Sequence, residues 1–166
     1  MSPCHSQPNQ TWNNSSLGIS VYSPPSVNNF MFKLRTTSQC IDSYNPYDAG
    51  RLYTYTCSVG ASNHRWTFEP TNAGGYIMRQ VKTNQCVDNW GAYDQKPAYT
   101  YTCTPSAWNH NWNYNGNTGK IQQLNSNQCL TSINPQSQDN ANVITYTCND
   151  SGWEKWDAIY MGKYYE

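Results

Sequence analysis

The sequence predicts an all-β domain assembled from three copies of one unit of about 45 residues. The first observation behind this is a pattern that returns in register. Gln39-Cys40-Ile41-Asp42, Tyr53-Thr54-Tyr55-Thr56-Cys57 and Asn63-His64-Arg65-Trp66 recur as Gln85-Cys86-Val87-Asp88, Tyr99-Thr100-Tyr101-Thr102-Cys103 and Asn109-His110-Asn111-Trp112. An altered copy follows as Gln128-Cys129-Leu130-Thr131, Ile144-Thr145-Tyr146-Thr147-Cys148 and Trp153-Glu154-Lys155-Trp156. First cysteines are separated by 46 and 43 residues, second cysteines by 46 and 45, and closing tryptophans by 46 and 44. Landmarks that stay in step mean one supersecondary unit repeated, each copy burying its apolar face against its neighbours. The second observation is a series of short β-type runs between turn signals, and the third is the lack of any capped run with helical period.

Within each unit four strands are expected. Phe30–Arg35, Tyr76–Gln80 and Lys120–Leu124 supply the first, by partial alternation of apolar and polar residues. The Cys-apolar-Asp stretch supplies a second. Tyr53–Thr56 and Tyr99–Thr102 read as a third from their aromatic and β-branched content, and the tryptophan-centred endings give a fourth. Gly74-Gly75, Asn115-Gly116 and Asn45-Pro46 mark turns. Three such units make about twelve strands. Three are too few for an ordinary propeller, which has roughly four to eight blades.

The repeats divide the chain as 30–74, 75–118 and 119–161, within a domain spanning 30–166. Residues 1–29 differ. Gln10-Thr11-Trp12 looks like a repeat ending preceded by Cys4, yet Trp12 to Trp66 is 54 residues, out of step with the later period. This segment reads as the stub of an upstream repeat or a tail packed on the domain. Asn9, Asn13, Asn14 and Asn149 sit in glycosylation sequons, usable only in a secretory host.

Charged residues make up 12% of the chain and the formal net charge is zero, so the basic footprint that nucleic acid or anionic lipid requires is missing. No stretch approaches the roughly 20 apolar residues of a membrane span. Aromatics reach 14%, with fourteen Tyr and seven Trp, enough both to fill an all-β core and to leave rings on the surface. A surface rich in Tyr, Trp and Asn and poor in charge suits neutral polar ligands, held by stacking and hydrogen bonding.

Six of the seven cysteines form three like-spaced pairs, Cys40/Cys57, Cys86/Cys103 and Cys129/Cys148, each closing a loop inside one repeat. They read as three disulfides, each worth about 3 kcal/mol on the loop-entropy model, and imply an oxidising compartment. Zinc is the competing reading, but no C-x-x-C spacing exists and the histidines are scattered. Secretion is therefore expected, although Met1-Ser2-Pro3-Cys4-His5 shows no charged start followed by an apolar run. Cys4 is left over.

The order Gln-Cys-apolar-Asp, aromatic-x-Cys, Asn-x-x-Trp resembles the ricin B-type lectin family over residues 30 to about 160. The resemblance implies a β-trefoil, in which three repeats close around a pseudo-threefold axis and leave little free edge. It also implies a shallow sugar site in each complete repeat. An Asp accepts from sugar hydroxyls, an aromatic stacks on the ring, and an Asn adds hydrogen bonds. Carried onto this chain, the ligand-binding sets are Asp42, Tyr55 and Asn63, and Asp88, Tyr101 and Asn109. The third repeat has Thr131 and Trp153 in place of Asp and Asn, although Tyr146 remains, and is expected to be inactive for the usual sugar.

The family's closing motif is Gln-x-Trp. His64, His110 and Glu154 replace its Gln, and the two histidines are expected to support the binding Asp. Tyr44 and Trp90, two residues past each Asp, are expected to wall the sites. As loop carboxylates near the surface, Asp42 and Asp88 are expected to contribute little to the core.

The function expected is non-catalytic carbohydrate binding, for galactose-type or related sugars on glycans, with no cofactor, no nucleic acid and no membrane insertion. The competing readings are a binding module of a larger glycoside hydrolase or toxin, and a β-trefoil protease inhibitor or interaction protein that uses loops. No catalytic Ser/His/Asp or Cys/His set can be assembled. Asp42 and Asp88 belong to different repeats and make a poor glycosidase pair.

Overall fold

A computed structural model of the chain describes residues 26–44, 46–133 and 138–165. Cys4, the Gln10-Thr11-Trp12 motif and the first three sequons lie outside the described residues. The first repeat runs β1 (Ser26–Leu34), β2 (Gln39–Asp42), β3 (Gly50–Arg51), β4 (Tyr53–Thr56) and β5 (Trp66–Pro70). The second runs β6 (Tyr76–Gln80), β7 (Gln85–Asp88), β8 (Lys96–Pro97), β9 (Tyr99–Thr102) and β10 (Trp112–Asn115). The third runs β11 (Lys120–Gln123), β12 (Gln128–Ser132), β13 (Ala141–Thr147) and β14 (Trp156–Tyr165).

The first and last strands of the three repeats form a barrel wall. β14 pairs with β1, β1 with β5, β5 with β6, β6 with β10 and β10 with β11, all antiparallel. The ring closes where the Trp156 N–H donates to the Gly119 carbonyl at 2.8 Å. Gly119 is required there: its φ is +78°, and a Cβ would lie 2.9 Å from the Trp156 nitrogen. The hairpins β2–β4, β7–β9 and β12–β13 cap the barrel. This is the β-trefoil.

The repeat pattern of the sequence becomes layers of the core. Trp66, Trp112 and Trp156 are wholly buried, with Ile41, Val87 and Leu130 and with Leu52, Ala98 and Val143. A buried indole needs an acceptor for its N–H. Trp66 donates to the Ile41 carbonyl at 3.2 Å, Trp112 to Val87 at 3.0 Å and Trp156 to Leu130 at 2.9 Å. The closing tryptophan of each repeat is thus tied to the residue after its first cysteine. Disulfides Cys40–Cys57, Cys86–Cys103 and Cys129–Cys148 secure each cap, with Cα–Cα distances of 5.0, 5.0 and 5.1 Å.

Fourteen strands are described, where about twelve are expected from the sequence, because the cap loops also pair between repeats. β3 pairs with β9, β8 with β13, and the start of β13 with β4, a cyclic exchange that runs once around the axis. One carboxylate clamps each junction. Asp48 accepts from the Thr102 N–H and hydroxyl at 2.7 Å, and from Gln85. Asp94 does the same with Thr147 and Gln128, and Asp139 with Thr56 and Gln39. Hydrogen bonds from Gln85 and Thr102 hold Asp48, and those from Gln128 and Thr147 hold Asp94, below the usual carboxylate range. For Asp139 burial opposes the shift, but its bonds from Thr56 and Gln39 prevail. The residues that follow, Ala49, Gln95 and Asn140, all adopt positive φ of 65° to 67°, so the turn is repeated as well as the clamp.

Candidate functional site

Each cap carries a surface hollow between its hairpin and the 3-10 turn that precedes the closing tryptophan. In the first repeat the hollow is about 370 Å³ and is lined by Asp42, Tyr44, Tyr53, Tyr55, Asn63 and His64, among others. In the second it is about 430 Å³, with Asp88, Trp90, Tyr99, Tyr101, Asn109 and His110 at the same places. All ten positions expected from the sequence to bind or wall a ligand therefore gather around these two hollows.

Asp42 ends β2 and Asp88 ends β7, so strand pairing fixes both backbones. They are not surface loop carboxylates as expected: each is only 3% exposed. A buried carboxylate must be hydrogen-bonded. Asn63 donates its side-chain amide to Asp42 at 2.6 Å, and Asn109 donates to Asp88 at 2.6 Å. The ring Nε2 of His64 lies 3.2 Å from Asp42, and that of His110 lies 3.2 Å from Asp88. The residue after the second cysteine decides the tautomer. Backbone N–H groups of Ser58 and Thr104 donate to the Nδ1 atoms of His64 and His110, both at 3.1 Å, so the proton sits on Nε2 and is donated to the carboxylate. The histidines, themselves buried, brace the Asp in the role expected of the family's Gln. A carboxylate has about four lone-pair sites, so Asp42 keeps acceptor capacity toward its hollow after these two bonds.

The wall opposite is aromatic. Tyr55 and Tyr101 are each 42% exposed, which leaves a ring face open for stacking. Tyr44 and Trp90 are more exposed still and stand at the rim. Two tyrosines that the sequence reading passed over also line the hollows, Tyr53 and Tyr99. Their hydroxyls accept from the backbone N–H of Tyr44 and Trp90 at 3.2 Å, which ties each rim residue to the hairpin. Burial, with the negative charge of the adjacent Asp42 or Asp88 adding to it, raises both phenols above their ordinary range and keeps them protonated donors. Only their place in a strict alternation with Tyr55 and Tyr101 could have signalled them.

A second missed element comes from the neighbouring repeat. Gln80, at the end of β6, donates to the carbonyls of Ser43 at 2.6 Å and Asn63 at 3.1 Å. Gln123, at the end of β11, does the same for Asn89 at 2.7 Å and Asn109 at 3.2 Å. Each complete hollow thus rests on a glutamine strut from the next unit. The equivalent position beneath the third hollow is Leu34, wholly buried, which has no donor to offer.

The third hollow is different in kind. It is larger, about 580 Å³, and Ile133, Ile144, Trp153 and Pro97 line it along with Tyr146 and Thr131. Glu154 occupies the histidine position. It accepts from the Asn149 backbone N–H and, at 3.3 Å, from the Thr131 hydroxyl. Burial pushes its carboxyl above the ordinary range, against the pull of those two donors. Among the described residues no group of three or more His, Cys, Asp or Glu could hold a metal ion, and no helix is long and apolar enough to cross a membrane.

Residues 28–156 match the model of the ricin-type β-trefoil lectin domain. The chain belongs to the ricin-type β-trefoil lectin domain family. Solved structures repeat the architecture at low identity. The designed threefold-symmetric protein ThreeFoil is 20% identical with a TM-score of 0.71, covering 79% of this chain and 97% of its own. The C-terminal half of the earthworm R-type lectin, in complex with GalNAc, is 17% identical with a TM-score of 0.64, over 80% of this chain and 98% of its own. An exo-β-1,3-galactanase from Clostridium thermocellum is 14% identical with a TM-score of 0.69, over 85% of this chain but only 32% of its own. A comparison with curated protein sequences gives no match. As a ricin-type domain the chain departs from the family's closing motif at His64, His110 and Glu154, and the first two keep the brace intact with a different donor.

Proposed function

We propose that this lectin domain binds neutral glycans without catalysis, through one hollow in repeat 1 and one in repeat 2, and that galactose-type sugars are its ligands. The observation that carries the reading is the pair of hollows in which a buried, doubly braced carboxylate faces an exposed tyrosine ring. The carboxylate and Asn63 or Asn109 suit vicinal hydroxyls, and the Tyr55 or Tyr101 ring suits the C–H face of a pyranose. The choice of galactose draws on the earthworm lectin bound to GalNAc and on its mutant bound to 6'-sialyllactose. Shallow sites of this kind are weak singly. A millimolar site corresponds to about −4 kcal/mol, so two sites on one multivalent glycan supply the useful avidity. Three disulfides are consistent with an oxidising compartment, and we place the protein outside the cell.

A second reading is favoured by one finding: the domain spans about a third of the galactanase it resembles. On that reading it is the carbohydrate-targeting module of a larger protein, with the same two hollows in use.

A glycan array on the wild-type protein, repeated with Asp42→Ala/Asp88→Ala, tests the assignment. Galactose-terminated glycans should be retained by the wild type and lost by the double variant, whose disulfides and β-sheet circular dichroism report an intact fold. Retention undiminished in the double variant would place the sites elsewhere.

A further inference from the structure

Repeats 1 and 2 carry the same braced carboxylate, yet their rims are not alike. Trp90, 62% exposed, walls the second hollow. Trp108 opens the 3-10 turn Trp108–His110, is 38% exposed, and lies just beyond that hollow. The two indoles touch, with ring centroids 6.1 Å apart and planes tilted by 36°. Repeat 1 has Tyr44 and Ser62 at these positions, and repeat 3 has Ile133 and Gly152. Of the three equivalent rims, only that of repeat 2 carries two adjoining indoles.

Exposed indoles in contact are costly to leave in water, and set beside a polar hollow they offer an apolar face to whatever occupies it. The surface is continuous with the hollow through Trp90. Its occupant must be apolar on one face, polar on its edges, and joined to whatever fills the hollow. A second sugar ring meets all three conditions. The geometry points to repeat 2 as an extended site that reads at least two consecutive sugar residues, the first at Asp88 and Tyr101 and the next on the Trp90–Trp108 surface, while repeat 1 reads one. This rests on the sugar-binding reading of the two hollows.

The test uses galactose, lactose and β-1,3- and β-1,4-galactotriose as probes. In wild-type protein, the indole N–H signal of Trp108, assigned by its loss in Trp108→Phe, should shift with at least one of the longer sugars and stay in place with galactose. Calorimetry on Asp42→Ala protein, which keeps only repeat 2, should give a longer-sugar to galactose affinity ratio of about three- to tenfold, the scale of one stacking contact. Trp108→Ala in that background should bring the ratio to about one, and Trp108→Tyr should restore part of it. In the Asp88→Ala background, which keeps repeat 1, the ratio should already be near one and should rise with Ser62→Trp.

Three outcomes overturn the proposal. If galactose perturbs the Asp88 hollow while no longer sugar moves the Trp108 signal, the extended site is wrong and the two-hollow reading stands. If Trp108→Ala leaves the ratio unchanged but abolishes a concentration-dependent dimer in sedimentation, the indoles belong to self-association. If none of these sugars perturbs either hollow, the galactose reading itself fails and the extended site falls with it.

Discussion

Repeats 1 and 2 differ from repeat 3 by an exchange of hydrogen-bond roles at one brace. In all three, the residue two before the closing tryptophan spans from the backbone N–H after the second cysteine to the side chain two residues after the first. His64 and His110 accept the backbone proton and donate to Asp42 and Asp88. Glu154 accepts the same backbone proton but can only accept again, and Thr131 supplies the hydroxyl donor. The fold therefore tolerates either polarity. On the proposed reading a sugar-binding hollow needs an outward-facing acceptor held by a donor brace, and the third repeat keeps the architecture without that pairing.

The most damaging way to break this comparison is to write the functional residue into the wrong brace. Thr131→Asp would set a second carboxylate within hydrogen-bonding reach of buried Glu154. An uncompensated buried charge costs about 3–5 kcal/mol. At roughly 2–4 °C per kcal/mol for a chain of this size, the melting temperature should fall by about 6–20 °C. Thr131→Asp/Glu154→His should recover most of that loss. Additive effects of the two substitutions in a double-variant cycle of thermal melts would show that the brace does not couple them.

A smaller effect is expected from the strut. Gln80→Leu copies Leu34 into the position beneath the first hollow and leaves the Ser43 and Asn63 carbonyls without that donor. Losing a buried partner costs about 1–3 kcal/mol. Stability should drop by that amount in denaturant titrations, and the affinity of repeat 1 should fall while that of repeat 2 holds. Equal losses at both sites would mean that Gln80 supports the fold as a whole and not one hollow.

The smallest effect is a gain, and it depends on pH. Burial raises the Glu154 carboxyl above its unfolded value. The unfolded chain therefore releases its proton first, and stability falls as pH rises from about 4.3 through the folded value, then stays lower. Glu154→Gln keeps an acceptor for Asn149 and an amide to face Thr131 without the charge. It should raise the melting temperature at pH 7 and leave it unchanged near pH 4. The clamps Asp48, Asp94 and Asp139 have the opposite sign. Their depressed carboxyls stabilise above the unfolded value near 3.9, and that contribution is lost as pH falls through the folded values. A melting temperature for Glu154→Gln that ran parallel to wild type from pH 4 to 8 would remove Glu154 from this account.

What the sequence made legible was what it repeats in register. The cysteine pairs, the closing tryptophans and the two Asp-Tyr-Asn sets could be placed because the same residue types return at the same offsets. Elements that depend on contact between repeats were not legible. Gln80 looks like an ordinary strand residue until β6 is seen beneath the first hollow. Asp48, Asp94 and Asp139 return at offsets of 46 and 45 residues, and the first two each follow a tyrosine, yet what they hold, Thr102, Thr147 and Thr56 of another repeat, emerges only from the folded chain. Asp42 and Asp88 were identified but their burial was not, since a strand end and a loop start read alike. Trp108 occurs in one repeat only and left no periodic trace.

On the proposed reading two of the three equivalent hollows bind sugar, and the carboxylate decides which. Native mass spectrometry of the intact protein with galactose counts the sites directly, with stepwise occupancy fitted to separate specific from statistical adducts. Two galactose molecules are expected on the wild type, one on Asp42→Ala, one on Asp88→Ala and none on the double variant. A third specific molecule on the wild type, or one retained by the double variant and lost with Tyr146→Ala, would contradict the account.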